Sequence, residues 1–549
     1  MPRGTRYTEE MISEYVKRGF WTRELTVDFW DRNAVLYPDE EALVDSKIRL
    51  TWLQAKKQID RIAFHLLELG FKRDDVLLAQ LYNSVDLVLI RLSCEKAGIL
   101  LAIVPYTFRH VELRAVFKQV EAKGAFIPYE FRGFNYFEAF QEIRSQLPKL
   151  KYLFVVGDKV PEEAISVKGM AQQGLVEKYS QDLLRAAKFD PFGFEEIMTT
   201  SGTTGIPKCA EWTGCARMSQ GRDAIERLHL TRDDVICAFS PSYGATTETL
   251  TYRTPPQIAA KTVMLENYTP EEACKLIEKE RITVGGIVPT MIVRLLNYPD
   301  LDKYDLSSLR ILLSSAALLH YQVAKEAEEK LGCSIVQGYG SMDSGGVCLG
   351  SIDDHREARL GTVGRPLNGN EVRLVDEKGK GVPHGEVGLV TVSGPHCISG
   401  YYNDPEATRK SWEDGRFKLG DLGRFDEGGR LQLMGRQKDV IIRGGQNIYP
   451  KEIEGLLVQY PKIAEVAIVK MPDLEMGERA CAYVVTKPGE RLTFEEMVSF
   501  LKEKGIAKFK LPERLEIVYA LLLVPGGNKV NKRLLEEEIT QKLKKEGRI

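Results

Sequence analysis

Ten consecutive residues, Thr199-Thr200-Ser201-Gly202-Thr203-Thr204-Gly205-Ile206-Pro207-Lys208, constrain this chain more than any other stretch. The side chains are small, hydroxylated or absent, and the run closes on a cation. Gly202 and Gly205 let the backbone turn where a Cβ would clash. Successive amides in such a turn can point inward and make a nest for an anion. Thr199, Thr200, Ser201, Thr203 and Thr204 add hydroxyl donors, and Lys208 adds a full positive charge. The set suits the tail of a nucleoside triphosphate. It differs from G-x-x-x-x-G-K-[ST], in which the lysine leads straight into a helix. Here two residues part Gly205 from Lys208, and one of them is Pro207. Read alone, the segment serves equally as a surface turn.

Around this stretch the chain alternates strand-like and helix-like segments. Ala42–Asp45, Ile48–Leu50, Val76–Leu81 and Tyr152–Val156 read as strands. Thr51 to Gln54 fits a capping box, with a helix to Leu69 stopped by Gly70, and Val85–Ala97 reads as a second helix. Further on, Thr269 to Glu272 combines an N-cap, a first-turn proline and a capping-box glutamate. Thr283–Val288, Leu309–Leu313 and Ser334–Gln337 are strands, and Tyr321–Leu331 is a helix stopped by Gly332. This is the rhythm of doubly wound α/β sheets. From Val363 to Val392 it changes to short strands with Gly and Pro turns, as in a small β-barrel or β-rich subdomain. Beyond Gly435–Asp439 a fresh α+β pattern begins, with strands at Ala464–Val469, Ala480–Val485 and Leu515–Val518 and a final helix at Lys532–Lys545. A chain of 549 residues exceeds one core, so at least two domains are expected.

Net charge near −2 leaves no basic footprint for nucleic acid. Nine cysteines, an odd count with no C-x-x-C pair, point to reduced thiols in a cytoplasm, and seven dispersed histidines form no metal cage. The first residues lack an apolar signal core, and no run reaches the ~20 apolar residues that span a bilayer. The longest apolar stretches, Ile99–Val104 and Tyr519–Val524, are expected to be buried strands or core segments. Monomer and homodimer are both left open.

Five further motifs follow in order. Ser314-Ser315-Ala316-Ala317-Leu318 places small residues after a strand, leaving room for a flat ring at the edge where α/β sheets bind ligands. In Gln337-Gly338-Tyr339-Gly340-Ser341-Met342-Asp343 a tyrosine stands between glycines and a carboxylate closes the run. Phe417-Lys418-Leu419-Gly420-Asp421 offers a carboxylate that can accept from both ribose hydroxyls. Gly435-Arg436-Gln437-Lys438-Asp439 precedes Arg443-Gly444-Gly445-Gln446, and Gly526-Gly527-Asn528-Lys529 stands just before the last helix. Individually these read as turns, a charged linker and a solvated lysine.

Together they resemble the signatures of the adenylate-forming (AMP-binding) superfamily of acyl-CoA synthetases and aryl-AMP ligases, over nearly the whole chain. The resemblance implies a large domain at 1–436, a hinge at 437–438 and a small mobile α+β domain at 439–549. It implies ATP, Mg²⁺ and coenzyme A. Thr199–Lys208 would hold the polyphosphate, Ser315–Ala317 and Gln337–Gly340 the adenine, and Asp421 and Arg436 the ribose. Asp343 would hold Mg²⁺, Lys438 would be the pivot, and Gly444 and Gly445 would line the passage for the thiol. Lys529 would be the catalytic cation. Three departures stand out: serines for both glycines before Ala316, Met-Asp for the usual Thr-Glu at 342–343, and Leu419 for threonine. The acid would lie against Tyr243, Gly244, Thr247, Gly338 and Gly345. No aspartate follows Phe239, which argues against an α-amino acid. An aromatic, alicyclic or medium-chain acid is expected. The alternatives are an acyl-AMP ligase loading a carrier protein in trans, and a non-catalytic nucleotide-binding protein.

Overall fold

The computed structural model describes residues 6–173, 179–200, 207–523 and 530–549. Local chemistry sets the helices. Thr51 accepts from the Gln54 amide while the Gln54 side chain accepts from the Thr51 amide, and helix Trp52–Glu68 then runs until Gly70 takes φ +86°. Helix Val85–Ala97 starts on Ser84 and stops at left-handed Gly98. Thr269 caps Pro270–Glu280 as expected, but the Glu272 side chain turns outward to Lys275. An ion pair along the exposed helix face competes there with the reciprocal capping bond.

Two large sheets result. One runs in the order Gly400–Tyr401, Cys209–Thr213, Phe194–Thr199, Leu100–Ile103, Val76–Ala79, Gly124–Pro128, Tyr152–Val156, Ile165–Ser166. From Phe194–Thr199 onward its pairs are parallel. The other has nine strands, of which Ser334–Ser341, Ile311–Ser314, Val284–Ile287, Val235–Ala238, Lys261–Met264 and Glu41–Val44 form a parallel centre. Strands such as Val76–Ala79 and Leu100–Ile103 are buried at every position, as expected of parallel strands covered on both faces. The style change near residue 363 becomes a five-stranded antiparallel sheet rather than a barrel. Its strands are Glu371–Val375, Gly388–Ser393, Arg416–Phe425 and Trp412–Glu413, with Leu431–Arg436 paired to Arg416–Phe425.

A separate sheet carries the C-terminal part: Gln446–Ile448, Ile441–Arg443, Gly477–Thr486 and Ile463–Asp473, with Arg514–Ile517 beside Gly477–Thr486. Its strands obey a period of two. Ile468, Ala480, Ala482 and Val484 face a core with Ile453, Leu457, Met497 and Leu501. Ala467, Val469, Cys481 and Tyr483 face a second core with Leu535, Ile539 and Leu543 of helix Lys532–Lys545. The chain is thus mixed α/β, with a large N-terminal domain and a smaller C-terminal one.

The expectation for Tyr519–Val524 fails over its described residues. Tyr519, Leu522 and Leu523 are exposed, and only Leu521 packs inward. The chain has by then left strand Arg514–Ile517, so no sheet face remains to cover alternate side chains. Ile99–Val104 is buried and contains strand Leu100–Ile103.

A buried ionic network lies where the two large sheets meet. Arg91 donates to Glu196 at 2.8 Å and to Glu248 at 3.0 Å, and Arg253 donates to Glu248 at 2.8 Å and Glu196 at 3.1 Å. Arg217 donates to Glu248 at 2.8 Å. Burial alone would lift the Glu248 carboxyl, but Arg217, Arg253 and Arg91 hold it down at about 2. Arg253 comes from a π-helical turn, Thr249–Arg253. Such turns re-aim side chains within a helix, often beside functional sites. The network fixes strand Phe194–Thr199, which runs directly into the threonine-glycine stretch.

Candidate active site

Thr199 and Cys209 are paired across the antiparallel strands Phe194–Thr199 and Cys209–Thr213. The Thr200 amide donates to the Lys208 carbonyl at 3.0 Å, and the Lys208 amide donates to Thr200 Oγ1 at 3.0 Å. Two bonds therefore clamp the ends of the stretch, and Thr199 Oγ1 anchors it further by donating to the Ile103 carbonyl at 3.2 Å. Ser201, Gly202, Thr203, Thr204 and Gly205 lie outside the described residues, as does Lys529.

Lys208 and Asp343 meet on Tyr401. The lysine Nζ stands 3.4 Å from the tyrosine hydroxyl and 4.6 Å from the ring centroid, and the hydroxyl donates to Asp343 Oδ1 at 3.0 Å. Burial raises the Asp343 carboxyl while Lys208 and the Tyr401 hydroxyl pull it down. A half-buried carboxylate with a second oxygen to spare, disfavoured as a lone anion, fits a hard divalent cation. Strand Gly400–Tyr401 reaches this place by pairing with Cys209–Thr213, 190 residues earlier in the chain. Sequence reasoning missed Tyr401, whose only local signal is a pair of tyrosines after a glycine.

A second cluster forms around Asp421. Tyr339 donates to Asp421 Oδ2 at 2.6 Å, and Arg436 Nε lies 3.3 Å from Oδ1. Asp421 and Arg436 are direct cross-strand partners, so the sheet itself brings them together. Gln337 to Gly340 belong to strand Ser334–Ser341 rather than to a loop, with Gln337 Nε2 donating to the Leu360 carbonyl at 2.8 Å. Ser315, whose amide donates to the Ile287 carbonyl, is buried, and Ala317 is exposed. Ala316 between them takes φ +70°, a left-handed conformation that costs an alanine about 1–2 kcal/mol.

Next to Tyr339 of the second cluster opens a narrow cleft of about 430 Å³, its mouth included. Gly338, Gly340 and Gly345 stand in its wall with Ala245, Thr246 and Leu250. Tyr243 and Gly244 immediately precede that helix. Thr247 is turned into the core, its hydroxyl shared with Ser240. Gly345 has φ +79°, and a Cβ there would stand 2.1 Å from the His396 carbonyl oxygen, so no other residue fits.

Lys438 lies in a single turn, Gln437–Asp439, just after the Asp421–Arg436 pair, and its carbonyl accepts from Lys470 Nζ at 3.1 Å. Gly444 and Gly445 form the exposed turn of a hairpin with φ +54° and +80°. None of the described hydrogen bonds or ion pairs joins that turn to either cluster.

A largely parallel α/β frame carrying two polar clusters and an apolar cleft suits a nucleotide-dependent ligase. The chain belongs to the AMP-binding enzyme family, matching it over residues 30–402, and matches the AMP-binding enzyme C-terminal domain over 452–527. It is 31% identical over 540 residues to the medium-chain fatty-acid–CoA ligase of Escherichia coli K12, covering 98% of this chain and 94% of that one. It is 28% identical to the 2,3-dihydroxybenzoate-AMP ligase of Bacillus subtilis 168, covering 98% of both. An anthranilate CoA ligase, AuaEII, solved with anthranoyl-AMP, shares the fold with a TM-score of 0.86 at 22% identity, over 95% of this chain and 98% of that one. Among the described residues no helix is long and apolar enough to cross a membrane.

Asp421→Asn should raise KM for ATP about ten-fold with little change in kcat. A charge-assisted hydrogen bond contributes about 1.5 kcal/mol, and its loss acts on ground-state binding. Steady-state exchange kinetics over a range of ATP concentrations check this; a fall in kcat alone would remove Asp421 from nucleotide binding.

Proposed function

We propose that the protein activates an aromatic, alicyclic or medium-chain carboxylic acid with ATP, releasing pyrophosphate, and passes the acyl group from AMP to coenzyme A. A carboxylate is a poor acyl donor because oxide is a poor leaving group. Attack of its oxygen on the α-phosphorus of ATP breaks the bond to pyrophosphate and leaves an acyl-adenylate. The thiol then attacks the carbonyl carbon and AMP departs. The obstacle in the first step is an anion approaching a polyanion, so charge neutralisation and in-line placement carry the catalysis.

The observation that carries this reading is the pair of clusters together with the apolar cleft. Asp421, held by Tyr339 and Arg436, would receive the ribose hydroxyls, and Lys208, at the clamped end of the threonine-glycine stretch, would face the phosphates. Asp343 would hold Mg²⁺, which when bound supplies positive charge to the phosphates. Thr199 to Gly205 would cradle the polyphosphate, and Ser315, Ala316, Ala317, Gln337, Gly338 and Gly340 would border the adenine. Tyr243, Gly244, Gly338 and Gly345 would surround the acid, with Thr247 behind them in the core. Lys529 would bridge carboxylate and α-phosphate, then withdraw as residues 439–549 turn about 437–438, bringing Gly444 and Gly445 to the thiol path. The nine buried, unpaired cysteines suit a reducing cytoplasm.

Carboxylate-dependent ATP–pyrophosphate exchange across benzoates, cyclohexane carboxylates and fatty acids tests the first half. Exchange without CoA-dependent AMP release would point to a carrier-protein acceptor in trans. No exchange with any acid would leave a non-catalytic nucleotide binder.

The seating of the C-terminal domain should depend on pH. His320 of the large domain packs on Gly455 of helix Pro450–Leu457, facing Lys451, Glu454 and Lys532. Burial first, then Lys451, lowers the imidazole to about 4. The seated form therefore prefers neutral His320, and an unseated histidine binds its proton near 6.5. Seating should weaken as pH falls from about 6.5 toward 4. Fluorescence transfer between labels on the two domains, followed from pH 7.5 to 5, should drop in the parent and stay flat in His320→Asn.

A further inference from the structure

The acid cleft has one polar side chain whose orientation is dictated from outside it. Gln220, on helix Gly214–Arg227, lines the cleft across from the glycine strand. Its Oε1 accepts from Arg217 Nη1, one turn earlier on the same helix. A guanidinium has donors only, so the amide oxygen must face it and the amide nitrogen must face away. Arg217 cannot swing to relax this. It is buried, stacked 3.8 Å over the Trp212 ring, and donates to Glu248 and to the Ala245 carbonyl at 2.6 Å. Gln220 Nε2 lies over Gly346, where a Cβ would stand 2.6 Å from it. Among the described hydrogen bonds Nε2 has no partner. The other polar groups of the wall are mostly committed: the Tyr339 hydroxyl to Asp421, and the Thr249 hydroxyl to the Ala245 carbonyl.

We propose that Gln220 is a specificity-determining residue whose Nε2 donates a hydrogen bond to an oxygen carried on the ring of an aromatic acid. The preferred substrates are then aryl acids bearing an ether, carbonyl or hydroxyl oxygen besides the carboxylate. An apolar ring leaves the donor unpaired in a desolvated slot, and that omission is what discriminates. This rests on the acid-activating reading above and narrows its substrate class. Arg217 acts through Gln220 as a positioning residue.

The test measures kcat/KM in ATP–pyrophosphate exchange for benzoate, methoxybenzoates and hydroxybenzoates, with cyclohexane carboxylate and octanoate as controls. The parent enzyme should favour the best oxygen-bearing benzoate over benzoate by about ten-fold, the effect of one neutral hydrogen bond of about 1.4 kcal/mol, chiefly through KM. Gln220→Leu should erase that gap. Gln220→Glu keeps an acceptor for Arg217 but offers no donor, so it should favour hydroxybenzoates over methoxybenzoates, and it decides the matter if the leucine variant does not fold. Equal use of all benzoates by the parent, or a gap surviving in Gln220→Leu, overturns the inference. Exchange with octanoate or cyclohexane carboxylate but no benzoate overturns it while leaving acid activation standing. No exchange with any acid overturns both.

Discussion

Replacing Lys529 with alanine should lower acid-dependent ATP–pyrophosphate exchange by about 10²–10³-fold, the usual effect of removing one preorganised charge donor from a transition state. Thioester formation from a preformed acyl-adenylate should be largely unchanged. The asymmetry follows from electrostatics. In the first step two anions must meet, and a cation between them lowers the barrier directly. In the second step the phosphate is already esterified and leaves as AMP, so the same cation has no comparable charge to offset, and its place is needed by the thiol. Leu523 and Val530, which flank the stretch that carries Lys529, pair with each other within the C-terminal domain. Glu454, buried and holding Lys532 at 2.7 Å, ties the final helix to helix Pro450–Leu457. A lysine carried there would move with the whole domain. Rapid-quench assays of the two half-reactions separate the outcomes. Equal losses in both would overturn a role for Lys529 confined to the first step.

Much of the frame was legible because its chemistry is local. A cap such as Thr51 announces its helix within four residues. The helices Val85–Ala97, Tyr321–Leu331 and Lys532–Lys545 and the strand Tyr152–Val156 fall where periodicity puts them. What escaped was made by long-range pairing. Tyr401 joins Lys208 to Asp343 only because strand Gly400–Tyr401 lies against Cys209–Thr213. Arg91, Glu196, Arg217 and Arg253 are charged residues of a kind usually found exposed, yet each is buried against a partner at least thirty positions away. Gln220 carries no local signal in the sequence. Its meaning comes from Arg217 on one side and an empty slot on the other. The failed expectation of burial for Tyr519–Val524, seen over its described residues, has the converse cause: an apolar run is covered only where a sheet edge or face is offered to it.

Lys438→Pro should slow thioester formation about 10²-fold and leave adenylation close to the parent rate. Proline holds φ near −65° and removes the amide donor, and forcing a backbone away from that value costs about 3 kcal/mol; at about 1.4 kcal/mol per decade, that is about a hundred-fold. The local structure makes this position a plausible place for the cost to fall. Strand Leu431–Arg436 is locked to Arg416–Phe425 through the Asp421–Arg436 pair, and strand Ile441–Arg443 already belongs to the C-terminal sheet. Between them stands the single turn Gln437–Asp439, with Gln437 and Lys438 exposed and one described side-chain bond on the Lys438 backbone, from Lys470. Rotation of the smaller domain must therefore be absorbed by very few dihedrals. A frozen φ at Lys438 leaves the arrangement compatible with that value intact and penalises the other. Since adenylation and thioester formation are proposed to need different arrangements, only one half-reaction should suffer. Single-turnover measurements of adenylate formation and of CoA-dependent AMP release in the variant give the two rates. Equal slowing of both, with an unchanged melting temperature, would place the pivot elsewhere in the segment.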